Sequence, residues 1–130
     1  MKREIKFRAW DKIDKRMIVD KQDFITLIVT SAGVFRMSAT HESYLYSLMP
    51  IDRFDLMQVT GLLDKNGKEI YEGDILRVDY LFEYITIEVY FTDSAWCIKG
   101  KKTDDWISKW LPEELEVIGN IYENKDLLNV

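Results

Sequence analysis

The sequence predicts a mainly β protein with minor helix, built as a small C-terminal β-barrel and an N-terminal portion that contains a β-hairpin. Three observations carry this. Short apolar runs alternate with polar residues at period two, as half-buried strands do. Turn residues interrupt those runs at roughly 8–12-residue spacing, the signature of a small barrel or sandwich. Asn66-Gly67 sits between two such runs and is the strongest short hairpin signal. The N-terminal portion is expected over residues 1–55 and the barrel with a C-terminal tail over 56–130. The boundary near Pro50 to Phe54 is soft, and one shared core is an open alternative.

Taken in order, Ile5, Phe7 and Ala9 alternate with Lys6, Arg8 and Trp10, which predicts a strand. Asp11-Lys12-Ile13-Asp14-Lys15 supplies a polar turn, and Met17 to Val19 begin the return strand. Phe24 to Thr30 is β-branched and apolar, another strand. A turn at Gly33 and a further strand follow. Ser38 to Pro50 reads as a short helix, because Tyr44, Leu45 and Leu48 share a helical face and Pro50 disfavours continuation. A strand is expected at Leu56 to Val59. Asn66-Gly67 predicts a type I′ turn, which needs positive φ at both residues. Gly73-Asp74 marks a second turn, leading into Ile75 to Tyr80. Tyr84 to Tyr90 is a strand with Ile85, Ile87 and Val89 on one face. Ser94 to Lys99 is the next, ended by Gly100. Asp104 reads as a helix cap with Trp106 and Trp110 at i, i+4. The last strand, from Leu115, is expected to break or bulge at Gly119. The final residues read as a tail or short helical end.

Composition bounds the class. A chain of 130 residues, 47% hydrophobic and 32% charged, can bury a core without staples. A 13% share of aromatics argues for a folded chain. The single cysteine, Cys97, permits no internal disulfide and fits a reducing cytoplasm. The apolar runs fall far short of the ~20 residues of a membrane span, and the N-terminus lacks the apolar stretch of a secretory signal. The net charge of −5 is uneven. Residues 1–16 hold seven Lys/Arg against three acids, whereas residues 103–130 hold two Lys against seven acids. An acidic chain is not built to coat a polyanion with its whole surface, though a local basic face stays open.

The segment Thr60 to Asp79, TGLLDKNGKEIYEGDILRVD, invites two chemical readings and fails both. A phosphate loop needs four residues between its glycines and then Lys-Ser or Lys-Thr. Here five residues separate Gly61 from Gly67, and Lys68 precedes Glu69. A calcium loop starting at Asp64 would place Lys68 at a ligand position and Ile75 where a bidentate acid must close the shell. The segment is therefore read as turns feeding strands.

Catalytic constellations are equally thin. His41 is the lone histidine and lies in no nucleophile elbow, so a surface or capping role is expected. Cys97, between Trp96 and Ile98, reads as a buried structural thiol. One Cys and one His cannot fill a tetrahedral zinc shell. Asp104/Asp105 and Glu113/Glu114 read as solvated pairs rather than glycosidase acids. No metal, cofactor or catalytic residue is expected.

Two features have binding character. Lys6 and Arg8 would share a strand face with Trp10, placing charge beside a stacking ring as single-stranded nucleic-acid sites do. Lys99, Lys101 and Lys102 form a basic loop. Solvated surface is the plainer account of both. The Trp106/Trp110 pair is expected to pack on the barrel and, where exposed, to make a protein contact.

Three blocks resemble the YopX-like family of phage and prophage proteins: IKFRAWDKIDKRM (Ile5–Met17), LMQVTGLLDKNGKEIYEGDILRV (Leu56–Val78) and LEVIGNIYENKDLL (Leu115–Leu128). They stand in the family's order. Val59 departs from an aromatic and Lys125 from a proline. The resemblance implies a small phage- or prophage-encoded protein, mostly β with a barrel-like C-terminal part, able to form an oligomer and without an established activity. It brings no catalytic residues with it.

The function expected is that of a non-catalytic interaction module in the bacterial cytoplasm, binding a host or phage protein, with self-association through strand edges included and no membrane partner. A nucleic-acid-binding barrel using the basic face is the alternative. An enzyme whose site forms between subunits is a third.

Overall fold

The computed structural model describes residues 6–19, 25–30, 33–40, 43–49, 54–92, 94–101 and 103–129, with only the backbone described over 25–49. Strands dominate, as the period-two patterning predicts, and helix is confined to short 3-10 turns. The chain divides into two units, Glu4–Gln58 and a second that begins at Val59.

In the first unit, β1 (Phe7–Asp11) pairs antiparallel with β2 (Arg16–Val19), with Arg8 opposite Val19 and Asp11 opposite Arg16. The Asp11 carboxylate closes this hairpin, accepting from the backbone N–H of Ile13 at 3.0 Å and of Asp14 at 3.1 Å. On its other side β1 pairs with Phe54–Gln58 of β6 (Phe54–Leu63). Ala9, Ile18 and Phe54 are buried together, with Leu56 packed against them. A separate three-stranded meander holds β3 (Ile25–Thr30), β4 (Gly33–Thr40) and β5 (Ser43–Met49).

Strand β5 corrects the short helix expected over this region. Ser43–Met49 is extended and pairs with β4, Leu48 opposite Met37 and Tyr46 opposite Ala39. Three apolar residues are too few to sustain a helix, whereas a Tyr-Leu-Tyr run suits a pleated ladder once a partner strand is present. Pro50 lies outside the described residues.

In the second unit, β6 continues past Val59 and pairs with β7 (Glu69–Tyr71). A curled half-barrel sheet follows. Its order is β11-β10-β9-β8-β12, made of β8 (Asp74–Tyr80), β9 (Glu83–Thr92), β10 (Ala95–Lys99), β11 (Asp104–Trp106) and β12 (Leu115–Asn120). One face supplies the core: Ile70, Leu76, Val78, Ile87, Val89, Ile98, Ile107 and Leu115 are all buried. The alternation expected of β9 is the alternation found, with Ile87 and Val89 buried and Glu88 and Tyr90 less so, whereas β8 buries both Ile75 and Leu76. β12 carries a register irregularity between Val117 and Gly119, where a break or bulge was expected. The chain ends in a 3-10 turn, Lys125–Asn129.

Two local expectations change. Asp104 does not cap a helix: Asp104–Trp106 is a strand on β10, followed by a 3-10 turn at Ile107–Lys109. Burying Ile107 in the core decides this, because tertiary packing outweighs a one-turn helical pattern. The Asn66-Gly67 turn is also not type I′. Only Gly67 has positive φ (+77°), and its N–H donates to Asp64 O at 3.0 Å. This is a type I turn followed by a left-handed glycine, the geometry of a longer hairpin loop.

Candidate interaction site

The carboxylates of the Thr60 to Asp79 segment hold turns in place. Asp64, 3% exposed, accepts three backbone N–H groups: Asn66 and Lys68 on Oδ1, each at 2.9 Å, and Val117 on Oδ2 at 3.0 Å. The Lys65 N–H donates to Leu115 O at 2.9 Å, so the hairpin loop is stitched to β12. Burial pushes the Asp64 carboxyl up, but the backbone donors, led by Val117, and the Lys68 charge together hold it below its usual value. Asp74, 1% exposed, accepts the Tyr71 N–H at 2.8 Å. Thr60 Oγ1 donates to Ile70 O at 2.8 Å. Asn120 accepts the N–H groups of Tyr122 and Glu123. These polar groups are committed to backbone hydrogen bonds.

Large apolar side chains are exposed elsewhere. The β8–β9 hairpin closes through Leu81 and Phe82, with Tyr80 opposite Glu83 and Asp79 opposite Tyr84. Leu81 (φ +49°) and Phe82 (φ +69°) both occupy the left-handed region. Two-residue hairpins need that geometry, and Asn-Gly meets it at least cost. Here two bulky side chains adopt it and point to solvent: Leu81 is 74% exposed, Phe82 fully so, and Tyr84 68%. Asp79, Phe82, Glu83 and Tyr84 line a shallow, open concavity of about 220 Å³.

The base of this tip is braced. Arg77 stacks its guanidinium over the Tyr84 ring, 5.0 Å from its centre. Arg77 Nη2 also reaches Glu116 Oε2 at 2.6 Å, and Lys65 Nζ meets the same oxygen at 2.9 Å. Lys65 first, then Arg77, hold the Glu116 carboxyl below its usual value.

The described residues singled out from sequence lie at β1, at β10 and the loop after it, and at β11 and the 3-10 turn that follows. Lys6 and Trp10 are half-buried, and Arg8 is 8% exposed. Because β1 is paired on both sides and buried on both faces, Arg8 does not form an exposed cation beside Trp10. Lys99 and Lys101 are exposed. Lys99 Nζ lies 4.8 Å above the Tyr90 ring, and the Tyr90 hydroxyl bonds to Asp104. Trp106 is 58% exposed, whereas Trp110 packs against the core. Lys102 and His41 lie outside the described residues. Cys97 is buried. Among the described residues no group of three or more His, Cys, Asp or Glu could hold a metal, and no helix is long and apolar enough to cross a membrane.

A family model described as YopX protein matches residues 6–129. The chain belongs to the YopX family. Two solved structures share its fold. Protein EF1440 from Enterococcus faecalis is 29% identical, with TM-score 0.61, covering 98% of this chain and 99% of that one. Protein YopX from Bacillus subtilis is 23% identical, with TM-score 0.71, covering 95% and 97%. A search of the curated proteins finds no match.

Within this YopX-family chain, sequence reasoning missed Leu81, Phe82 and Tyr84. A signal was present: Asp79-Tyr80-Leu81-Phe82-Glu83-Tyr84 joins two period-two strands without a Gly, Asn or Pro at the turn. An apolar pair where a tight turn must fall is an anomaly that composition statistics pass over.

Proposed function

We propose that this YopX-family chain is a non-catalytic protein-interaction module, encoded by a phage or prophage and acting in the cytoplasm of its bacterial host. One observation carries the reading: the exposed apolar cluster Leu81, Phe82 and Tyr84 on a braced hairpin. Burial of such side chains at an interface recovers the free energy that their exposure forgoes, and aromatic anchors dominate protein interfaces. The structural use of Asp64 and Asp74 supports the same reading, since both carboxylates are committed to backbone donors. Burial of Arg8 weighs against the nucleic-acid alternative through the N-terminal strand.

The test is recovery of tagged protein from its host with and without nuclease. A stoichiometric, nuclease-resistant protein complex is expected. Nucleic acid that disappears on nuclease treatment, or a turnover-dependent activity abolished by one conservative substitution, would overturn the proposal.

A further inference from the structure

We infer that the Leu81–Phe82 tip is a docking knob for a partner protein that presents an apolar pocket rimmed by Lys or Arg; this rests on the interaction-module reading above. The argument starts from backbone strain. Leu81 and Phe82 hold positive φ with fully formed side chains, a conformation that persists only where the surroundings impose it and that clusters at functional sites. The side chains at this turn are also the most exposed apolar groups among the described residues, at 74% and 110% of the reference area.

Preorganisation supplies the second line. Tyr84 is held under Arg77, Arg77 is held by Glu116, and Glu116 is held by Lys65. The aromatic ring at the base of the tip is thus held in place and loses little conformational entropy on docking.

The sheet edges supply the third. On β12, Asp64 takes the Val117 N–H and Lys65 donates to Leu115 O. On β11, a strand of three residues, Asp105 takes the N–H of Trp106 at 2.8 Å. The Asp64 side chain and the Lys65 backbone thus occupy groups on β12, and the Asp105 side chain occupies one on β11, which discourages strand addition. Recognition through side chains at the tip remains available.

Charge chooses the partner. Asp79 and Glu83 flank the apolar residues and line the same concavity as Phe82 and Tyr84. An acid-rimmed apolar knob complements an apolar pocket with a basic rim and repels phosphate-rich surfaces, whether nucleic acid or anionic lipid.

The experiment places p-benzoylphenylalanine at position 82 of the full chain, irradiates the native host cells, and maps the cross-linked peptides by mass spectrometry. The same probe at Ile13 and at Trp106, both exposed, provides the comparison. Position 82 should give one discrete protein adduct, at a peptide combining apolar residues with Lys or Arg. Its yield should fall about tenfold or more in the Asp79→Lys/Glu83→Lys background, a change equivalent to losing a strong interface contact. A discrete adduct from position 13 or 106 with none from 82 would overturn the knob and leave the module standing. No protein adduct from any of the three positions would overturn both. An adduct at 82 to lipid, to nucleic acid or to a second copy of this chain would replace the basic-rimmed partner.

Discussion

Asp64 Oδ2 accepts the N–H of Val117 at 3.0 Å, across 53 positions of sequence. The other carboxylate oxygen closes its own turn through Asn66 and Lys68. One buried side chain therefore sets a local loop and a long-range strand contact together. Replacing Asp64 with Ala should leave three backbone donors without their acceptor, those of exposed Asn66 and Lys68 and of half-buried Val117, and cost about 2 kcal/mol. Urea unfolding of the two proteins measures this. A loss below about 0.5 kcal/mol would mean that water satisfies these donors.

Acid sensitivity follows from the same group. The folded-state pKa of Asp64 is lowered, so the folded protein favours the carboxylate more than the unfolded chain does. That contribution is fully present above the unfolded value, about pH 4, and is lost as pH falls through the lower folded value. Glu116 shifts in the same direction through Lys65 and Arg77. The urea midpoint should therefore fall below about pH 4, and more gently in Asp64→Ala. Parallel acid limbs in the two proteins would assign the loss to other carboxylates.

Two glycines separate clash from strain. A Cβ on Gly100 would lie 2.7 Å from the Thr86 carbonyl oxygen and 2.9 Å from Ile87 Cγ2. Gly100→Ala should cost about 2 kcal/mol, the scale of overpacking against fixed backbone. Gly61, at φ +84°, has open space around it. Gly61→Ala should cost about 1 kcal/mol from backbone conformation alone. Thermal melts of both variants check the order, and equal losses would contradict it.

The hairpin tip makes the opposite prediction. Leu81→Asn with Phe82→Gly relieves positive φ at two positions and should stabilise the fold by about 1–2 kcal/mol. The same pair of changes should abolish recovery of the partner with the tagged protein. A variant that gains stability and keeps its partner would show that the exposed side chains are dispensable.

Much of the β architecture was legible in the sequence, because strand faces repeat at period two and the repeat survives in one dimension. Ile87 and Val89 on the core face of β9, the β1–β2 turn and the irregularity before Gly119 all follow from local pattern. The candidate site was not legible in the same way. Trp106 and Trp110 stand four residues apart in sequence, yet one is exposed and the other packed, because burial of Ile107 fixes a strand and a 3-10 turn between them. Arg8 sits in a basic segment, and pairing of β1 on both sides buries it. Exposure depends on which strands become neighbours, and neighbours in a β fold are distant in sequence.

By itself, then, the sequence determined the strand-rich class, the turns marked by Gly, Asn or Asp and the family, all of which depend on residue order over short windows. Only the tertiary structure decided that Asp64 would clamp β12 and that Leu81 and Phe82 would close a hairpin at positive φ with their side chains in solvent. The physical reason is register. Tyr80 must face Glu83 across the ladder, and that pairing leaves two residues, whatever their size, to make the turn.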